Sequence, residues 1–221
     1  MYQIIKKYCE NNDKSNGLLL IDMPTGFGKT HSVLDYICDS VLSHKFDKKK
    51  VFFITTQKKN LPIEELKERF ARRNEQVLFD EKFVFLDSNI DTVLTNWNIK
   101  LEKSIPSEIT RTDEYRALKQ DLLFIKQKSD NTTKQLVETI EKNLREKTEP
   151  AFRGLIQAYL NKEFTSVKDK LYAIKTSERW QWLGKLYPAV FTQSKQIIFM
   201  SMDKFLSRNS TVVEPSYMFY N

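Results

Sequence analysis

The feature that most constrains the fold of this chain is a short apolar run that leads into a glycine-containing loop. The run is Leu18–Ile21, the loop covers residues 22–28, and Lys29 and Thr30 follow it directly. After them, apolar residues recur at helical spacing; they are Val33, Leu34, Ile37, Val41 and Leu42. A strand, a glycine loop ending in Lys-Thr and a helix, in that order, predict a phosphate-binding loop within an α/β fold.

The chemistry of phosphate binding explains the residue types in this loop. Glycine adopts backbone conformations that other residues avoid, so that several N–H groups can face one anion at a helix N-terminus. We predict that Lys29 carries its charge to the β- and γ-phosphates of ATP, that Thr30 offers its hydroxyl to Mg²⁺, and that both are catalytic. The predicted nucleotide-binding residues of the loop are Pro24, Thr25, Gly26, Phe27, Gly28, Lys29 and Thr30. The alternative is an ordinary turn between a strand and a helix with a surface lysine.

The loop also resembles a motif of a known family. Residues 23–30, which read Met-Pro-Thr-Gly-Phe-Gly-Lys-Thr, are similar to motif I (Walker A) of DEAD/DEAH-type helicases and translocases of superfamily 2. The strict phosphate-loop pattern has a glycine six residues before the lysine, where this chain has Met23, and the helicases commonly have alanine or another small residue there. The resemblance implies a RecA-like P-loop NTPase, a parallel sheet flanked by helices, with ATP and Mg²⁺ as cofactors. It also implies that the chain is the N-terminal part of motor domain 1.

Two further stretches fit this resemblance. Residues 1–16 predict a short helix, and helicases of the family often carry a Tyr-Gln pair there whose glutamine reads adenine; here the pair is Tyr2-Gln3. An amide suits that role because it donates and accepts hydrogen bonds at once. The apolar run Val51–Thr56 predicts a second, buried strand, followed by a helix opening at Pro62. This stretch is similar to motif Ia, which implies nucleic-acid backbone contacts at Thr56, Lys58 and Lys59.

Charge is concentrated around that second strand. Residues 45–73 contain ten basic and four acidic residues, a net charge of +6, within a chain of net charge +7. A basic surface fits a polyanionic partner, and a solvated face with no partner is an equal alternative.

A third predicted strand, Phe83–Asp87, ends in an acid and permits a competing interpretation. Four apolar residues and an aspartate have the form of a Walker B strand, so the chain could be a compact P-loop kinase or ATPase whose magnesium ligand is Asp87. We prefer the helicase interpretation, in which this is simply the next strand and Ser88-Asn89 begin a loop.

From about residue 100 to 190 helical spacings replace strand patterns. The predicted helix faces are Leu118, Leu122 and Ile125; Leu136, Ile140 and Leu144; and Phe152, Leu155, Ile156, Tyr159 and Leu160. Ser166 and Asp169 resemble a capping box. We therefore predict a helical insertion at 100–190 within a motor domain formed by 1–99 and 191–221, in which residues 195–201 form a late strand and the Asp-Glu motif of the family has not yet been reached.

Composition sets the remaining expectations. Two cysteines cannot build a disulfide scaffold, and neither a membrane-spanning apolar run nor a signal peptide is visible, so we expect a cytoplasmic protein without membrane partners. The full-length protein is expected to be an ATP-dependent helicase or translocase, while this chain alone should not hydrolyse ATP. A nucleotide-regulated interaction module, in which the helical insertion binds a protein, is a further alternative.

Overall fold

The computed structural model describes residues 1–10, 22, 24, 26–45, 50–127, 134–214 and 216–219. It is a mixed α/β protein, mostly helical, with a small three-stranded parallel sheet. The predicted first strand, Leu18–Ile21, lies outside the described residues, as do Met23 and Thr25 of the loop.

The helices and strands have the following bounds. The strands are β1 (Val51–Thr55), β2 (Phe83–Leu86) and β3 (Ile197–Ser201). The helices are α1 (Tyr2–Glu10), α2 (Lys29–Leu42), α3 (Ile63–Ala71), α4 (Gln76–Lys82), α5 (Asn89–Asn96), α6 (Ile99–Lys103), α7 (Ser107–Thr110), α8 (Asp113–Lys126), α9 (Lys134–Asn143), α10 (Glu149–Glu163), α11 (Val167–Thr176), α12 (Gln181–Leu186) and α13 (Met202–Leu206). Short 3-10 turns span Lys58–Asn60 and Pro188–Ser194, and one π-helical turn spans Leu144–Thr148.

The last of the described strands, β3, lies in the middle of the sheet, whose order is β1-β3-β2. Two backbone hydrogen bonds set the register where the strands begin: Val51 N donates to Gln196 O at 2.8 Å, and Gln196 N donates to Lys82 O at 2.9 Å. Residues 197–200 of β3 are fully buried, whereas in β1 Phe52 is 39% exposed. The predicted strand is present at Val51–Thr55, but the prediction that it is buried was wrong, because β1 lies at one end of the described strand order whereas β3 has a strand on each side.

The loop predicted at Ser88-Asn89 is also wrong, because a helix begins there. The Ser88 hydroxyl accepts a hydrogen bond from Asp91 N at 3.1 Å and so caps the N-terminus of α5. Serine at this position satisfies a backbone donor that has no partner within the helix, and the helix can start two residues after β2.

The chain divides into two compact units. Unit 1 contains Met1–Phe52, Pro62–Phe83 and Lys195–Ile197, and unit 2 contains Phe53–Leu61, Val84–Ser194 and Ile198–Asn221. In unit 1, α1 packs on α2 and α2 on α3. A cluster of three rings, Phe70, Phe79 and Phe83, joins α3, α4 and the start of β2, with centroids 4.8–5.6 Å apart.

Unit 2 has one large hydrophobic core. It runs in sequence from Ile90 to Val213 and includes the buried Trp180 and Trp182. The described residues between 100 and 190 contain helices and turns, with no strand. Phe152, Ile156 and Leu160 are buried as predicted, and Ser166 caps α11 by accepting from Asp169 N at 3.1 Å.

One predicted packing face is not buried. Leu136 is 45% exposed, and α9 contains no buried residue. Leu144, the residue directly after α9, is fully buried. Where α9 gives way to α10 the backbone widens into the π-helical turn, just before Pro150. Proline lacks the N–H of a regular helix and clashes with the carbonyl four residues earlier, which accounts for the local distortion.

Candidate functional site: the glycine loop and the charges at the strand ends

Both glycines of the loop have left-handed backbones. Gly26 has φ of +92° and Gly28 has φ of +68°. An added Cβ at either position would meet no atom of the described residues within 4 Å, so the requirement for glycine there comes from the backbone angle. L-residues adopt such angles at a cost of about 1–2 kcal/mol. The sequence feature that suggested a phosphate loop therefore has the backbone conformation in which glycine is needed.

Helix α2 begins directly after these glycines. Its first intrahelical bond runs from Ser32 N to Gly28 O at 2.9 Å, and the cap residue Gly28 has no side chain with which to satisfy the first N–H groups. The first turn contains no acidic residue. The positive end of the helix dipole therefore has no carboxylate of its own first turn to neutralise it, a setting that favours an anion.

The two residues with predicted catalytic roles occupy the first turn of α2. Lys29 folds back over the loop, where its Nζ donates to Pro24 O at 3.4 Å. Thr30 is exposed, and Phe27 in the loop is 65% exposed. The structure thus places the described members of the predicted phosphate loop next to one another, on an accessible surface of unit 1, while Gln3 lies on a separate helix.

A charged cluster braces this end of α2 against α3. The Arg69 guanidinium is largely buried and forms ion pairs with Asp35 and, at 2.6 Å, with Glu65. It also donates to His31 Nδ1 at 2.7 Å, one residue beyond Thr30. The hydrogen bond from Arg69 lowers the pKa of Glu65 below its usual value. Sequence reasoning missed this cluster, although the four-residue spacings of His31 with Asp35 and of Glu65 with Arg69 were visible.

The predicted adenine-reading residue is on α1. Gln3 is exposed, and its neighbour Tyr2 packs edge-on against Tyr36 and donates a 2.9 Å hydrogen bond to Asp39. Tyr36 and Asp39 lie in the second half of α2, seven and ten residues after Lys29. The contacts of α1 are therefore with the part of α2 remote from the loop, about 10–15 Å along its axis. The role of Gln3 stays a prediction.

The predicted nucleic-acid residues lie in unit 2, after β1. Thr56, Lys58 and Lys59 are all exposed. Lys58 Nζ is ion-paired with Asp87, which follows β2, and lies 3.6 Å from Asp91 in α5. Asp87 also accepts a hydrogen bond from Ser88 N at 2.8 Å. The carboxylate that the competing interpretation assigns to Mg²⁺ is thus held by a lysine that the helicase interpretation assigns to nucleic acid.

Much of the positive charge between residues 45 and 73 is neutralised locally. Of the eight basic residues of this stretch that the structure describes, six have a carboxylate within ion-pair distance; they are Lys45, Lys58, Lys67, Arg69, Arg72 and Arg73. Sequence could count these charges but could not pair them, because several of the acids come from outside the stretch. The predicted basic surface is therefore weaker than its net charge suggests.

Charged groups continue from the strand ends into the helical part of unit 2. Lys204, in α13 after β3, is partly buried, and burial lowers its pKa although the nearby Asp87 opposes the shift. Further along, the buried Glu149 pairs with Arg153 at 2.9 Å, and Arg153 donates to Ser210 Oγ at 2.7 Å. The four-residue spacing of Glu149 and Arg153 was visible in the sequence, but no local pattern indicated that Arg153 meets Ser210, 57 residues further on.

Comparison with known proteins adds no family assignment. No protein-family model matches the chain, and no curated protein is significantly similar to it. Among the helices of the described residues, none is both long and apolar enough to cross a membrane.

Proposed function

We propose that this chain binds ATP with Mg²⁺ through residues 24–30 and is part of a nucleic-acid-dependent ATPase of the helicase or translocase class, with a RecA-like P-loop fold. The observation that carries the proposal is the pair of left-handed glycines, Gly26 and Gly28, immediately before an α2 N-terminus whose first two residues are Lys29 and Thr30. This combination supplies backbone donors, a cation and a hydroxyl at one end of a helix.

Each group has a distinct task in binding. The first N–H groups of α2 face the phosphates, and Lys29 neutralises the charge of the β- and γ-phosphates. The exposed hydroxyl of Thr30 would hold Mg²⁺, which would supply charge neutralisation at the phosphates. Nucleic-acid contacts fall on the exposed loop after β1, through Thr56, Lys58 and Lys59. That the helical part of unit 2 contacts a protein partner stays a prediction.

Nucleotide binding is tested by calorimetric titration of ATP and ADP with Mg²⁺. Lys29→Ala should abolish binding, because the phosphates lose their main counter-charge, while thermal unfolding stays unchanged. Lys7→Ala removes an exposed lysine of the same unit and should leave affinity intact. Equal affinities for wild type and Lys29→Ala would exclude the loop as the nucleotide site.

A compact ATPase or kinase that uses Asp87 is the second candidate, because Asp87 directly follows β2 where a Walker B acid would stand. The helicase proposal expects negligible ATP hydrolysis by this chain alone, because it assigns the arginine finger to a second motor domain. An arginine finger by itself contributes about 10³–10⁵ to the rate. A phosphate-release assay on wild type and Asp87→Ala separates the two. Robust turnover that Asp87→Ala eliminates would favour the second candidate.

A further inference from the structure

Lys58 is held by two carboxylates from one neighbouring segment. Its ammonium group pairs with Asp87, directly after β2, and with Asp91 at 3.6 Å, one helical turn further on. Partial burial alone would lower the pKa of Lys58, but the hydrogen bond and charge of Asp87, with those of Asp91, raise it above its ordinary value. The turn at Lys58–Asn60 is thereby tied to the start of α5.

The adjacent lysine is in a different state. Lys59 is exposed, and no carboxylate of the described residues lies within ion-pair distance of it. Two neighbouring lysines in one three-residue turn therefore differ in availability. Lys59 can meet an anion at once, whereas Lys58 must first leave Asp87 and Asp91.

We propose that the Lys58 ion pairs with Asp87 and Asp91 form a latch that closes the phosphate-contacting turn in the free protein, and that a nucleic-acid phosphodiester opens it by taking Lys58 over from the two aspartates. The inference rests on the nucleic-acid part of the proposed function. It adds that Asp87 and Asp91 compete with the bound strand.

The exchange is physically feasible because every member of the latch is partly exposed. The side chain of Lys58 is 57% exposed, and those of Asp87 and Asp91 are 27% and 46% exposed. Ion pairs in contact with water are weak, and a nucleic-acid backbone offers a high local concentration of phosphates and releases counterions when a lysine binds. Lys59, already available, can hold the strand while Lys58 changes partners.

The test is a double-mutant cycle measured by fluorescence anisotropy with a labelled single-stranded oligonucleotide at low and moderate salt. Asp87→Asn with Asp91→Asn keeps the shape of both side chains and removes their charge. In the wild-type background these two substitutions should raise the affinity for the oligonucleotide about two- to fivefold. That factor corresponds to the free energy needed to break a weak, exposed ion pair. The salt dependence should stay close to that of wild type, because Lys58 neutralises one phosphate in both complexes, whereas Lys58→Ala should make the log–log slope shallower by about 0.7. In a Lys58→Ala background the same pair should give no gain.

A matched control separates the latch from general electrostatics. Asp203→Asn with Glu178→Gln also removes two exposed negative charges from unit 2, and neither residue contacts Lys58. This control should change affinity little. A gain that persists without Lys58, or that the control reproduces, overturns the latch, as does the absence of any gain.

Failure of the latch and failure of the proposed function give different results. If Lys59→Ala weakens binding while the aspartate pair has no effect, the chain binds nucleic acid and the latch is wrong. If no variant binds the oligonucleotide even at low salt, the latch and the nucleic-acid contact are both wrong. Nucleotide binding is judged separately, through Lys29. Thermal unfolding of each variant confirms that the fold is intact.

Discussion

At the scale of single residues, the two cysteines provide a direct test of the structure. Cys38, on α2, is 1% exposed, and burial raises the pKa of its thiol to about 11. Cys9, on α1, is only half-buried. Because the thiolate is the reactive form, about one Cys38 thiol in a thousand is ionised at pH 8. We expect a thiol reagent to modify Cys9 in the folded protein and Cys38 only after unfolding.

Mass spectrometry after maleimide labelling measures this difference. Cys9→Ser should leave the native protein almost unreactive and the denatured protein with one reactive thiol. Rapid labelling of Cys38 in native Cys9→Ser would show that α2 is not packed as described.

Residue-scale predictions from sequence succeeded where chemistry is local. The need for glycine at positions 26 and 28 followed from the pattern alone, and both residues have positive φ. The partner of Lys58 could not be predicted in the same way. Asp87 is 29 residues further along, and only the pairing of strands determines that the two side chains meet.

At the scale of elements, two helical glycines should respond oppositely to the same substitution. Gly154 lies in α10, and an added Cβ would meet no atom within 4 Å; at Gly184 in α12 it would lie 2.7 Å from the Phe191 ring and 3.3 Å from Ile174. Gly154→Ala should raise the free energy of unfolding by about 0.5–1 kcal/mol, because alanine loses less backbone entropy in a helix. Gly184→Ala should lower it by about 1–3 kcal/mol through overpacking.

Urea unfolding of the two variants, followed by circular dichroism, checks this pair. A higher free energy of unfolding for both variants would mean that the Phe191 ring moves aside without an energetic cost. A loss at both would contradict the open environment of Gly154.

The success of element prediction depended on whether the signal was in the local sequence. Capping by Ser166 and the apolar stripe Phe152, Ile156 and Leu160 required only spacing, and both are confirmed. The same reasoning failed for Leu136 and Ile140 on α9, because an apolar stripe shows that a helix can bury a face but not that another element covers it. It also overlooked the cap at Ser88, where a strand pattern was followed directly by a helix start.

At the scale of the whole molecule, hydrogen bonds from one helix connect distant segments. Arg153 on α10 pairs with the buried Glu149 and donates to Ser210, and Gln157 on the same helix donates to Thr211 O at 2.6 Å. The segment after β3 is thus tied to the helical core, which includes Val212 and Val213. No sequence period links residues some 57 positions apart, so this connection was not predictable from the chain alone.

Arg153→Met should therefore destabilise the protein by about 3–5 kcal/mol, because it leaves the Glu149 carboxylate buried without a counter-charge. Arg153→Met with Glu149→Gln should recover part of that loss. Arg72→Ala, which breaks an exposed pair with Glu68, should have little effect. Guanidinium unfolding curves of the variants measure these differences, and a small effect of Arg153→Met would show that the pair is open to water.

The position of β3 between β1 and β2 has a consequence during protein synthesis. Both β1 and β2 bond to β3. Between Leu86, where β2 ends, and Ile197, where β3 begins, lie 110 residues. At a translation rate of about 5–20 residues per second, β2 waits roughly 5–20 s for that neighbour, and β1 waits longer. During this interval each has an unpaired edge that can bond to another nascent chain. We therefore expect a polypeptide that stops before Ile197 to aggregate, and chaperones to act on this protein chiefly before its last strand emerges.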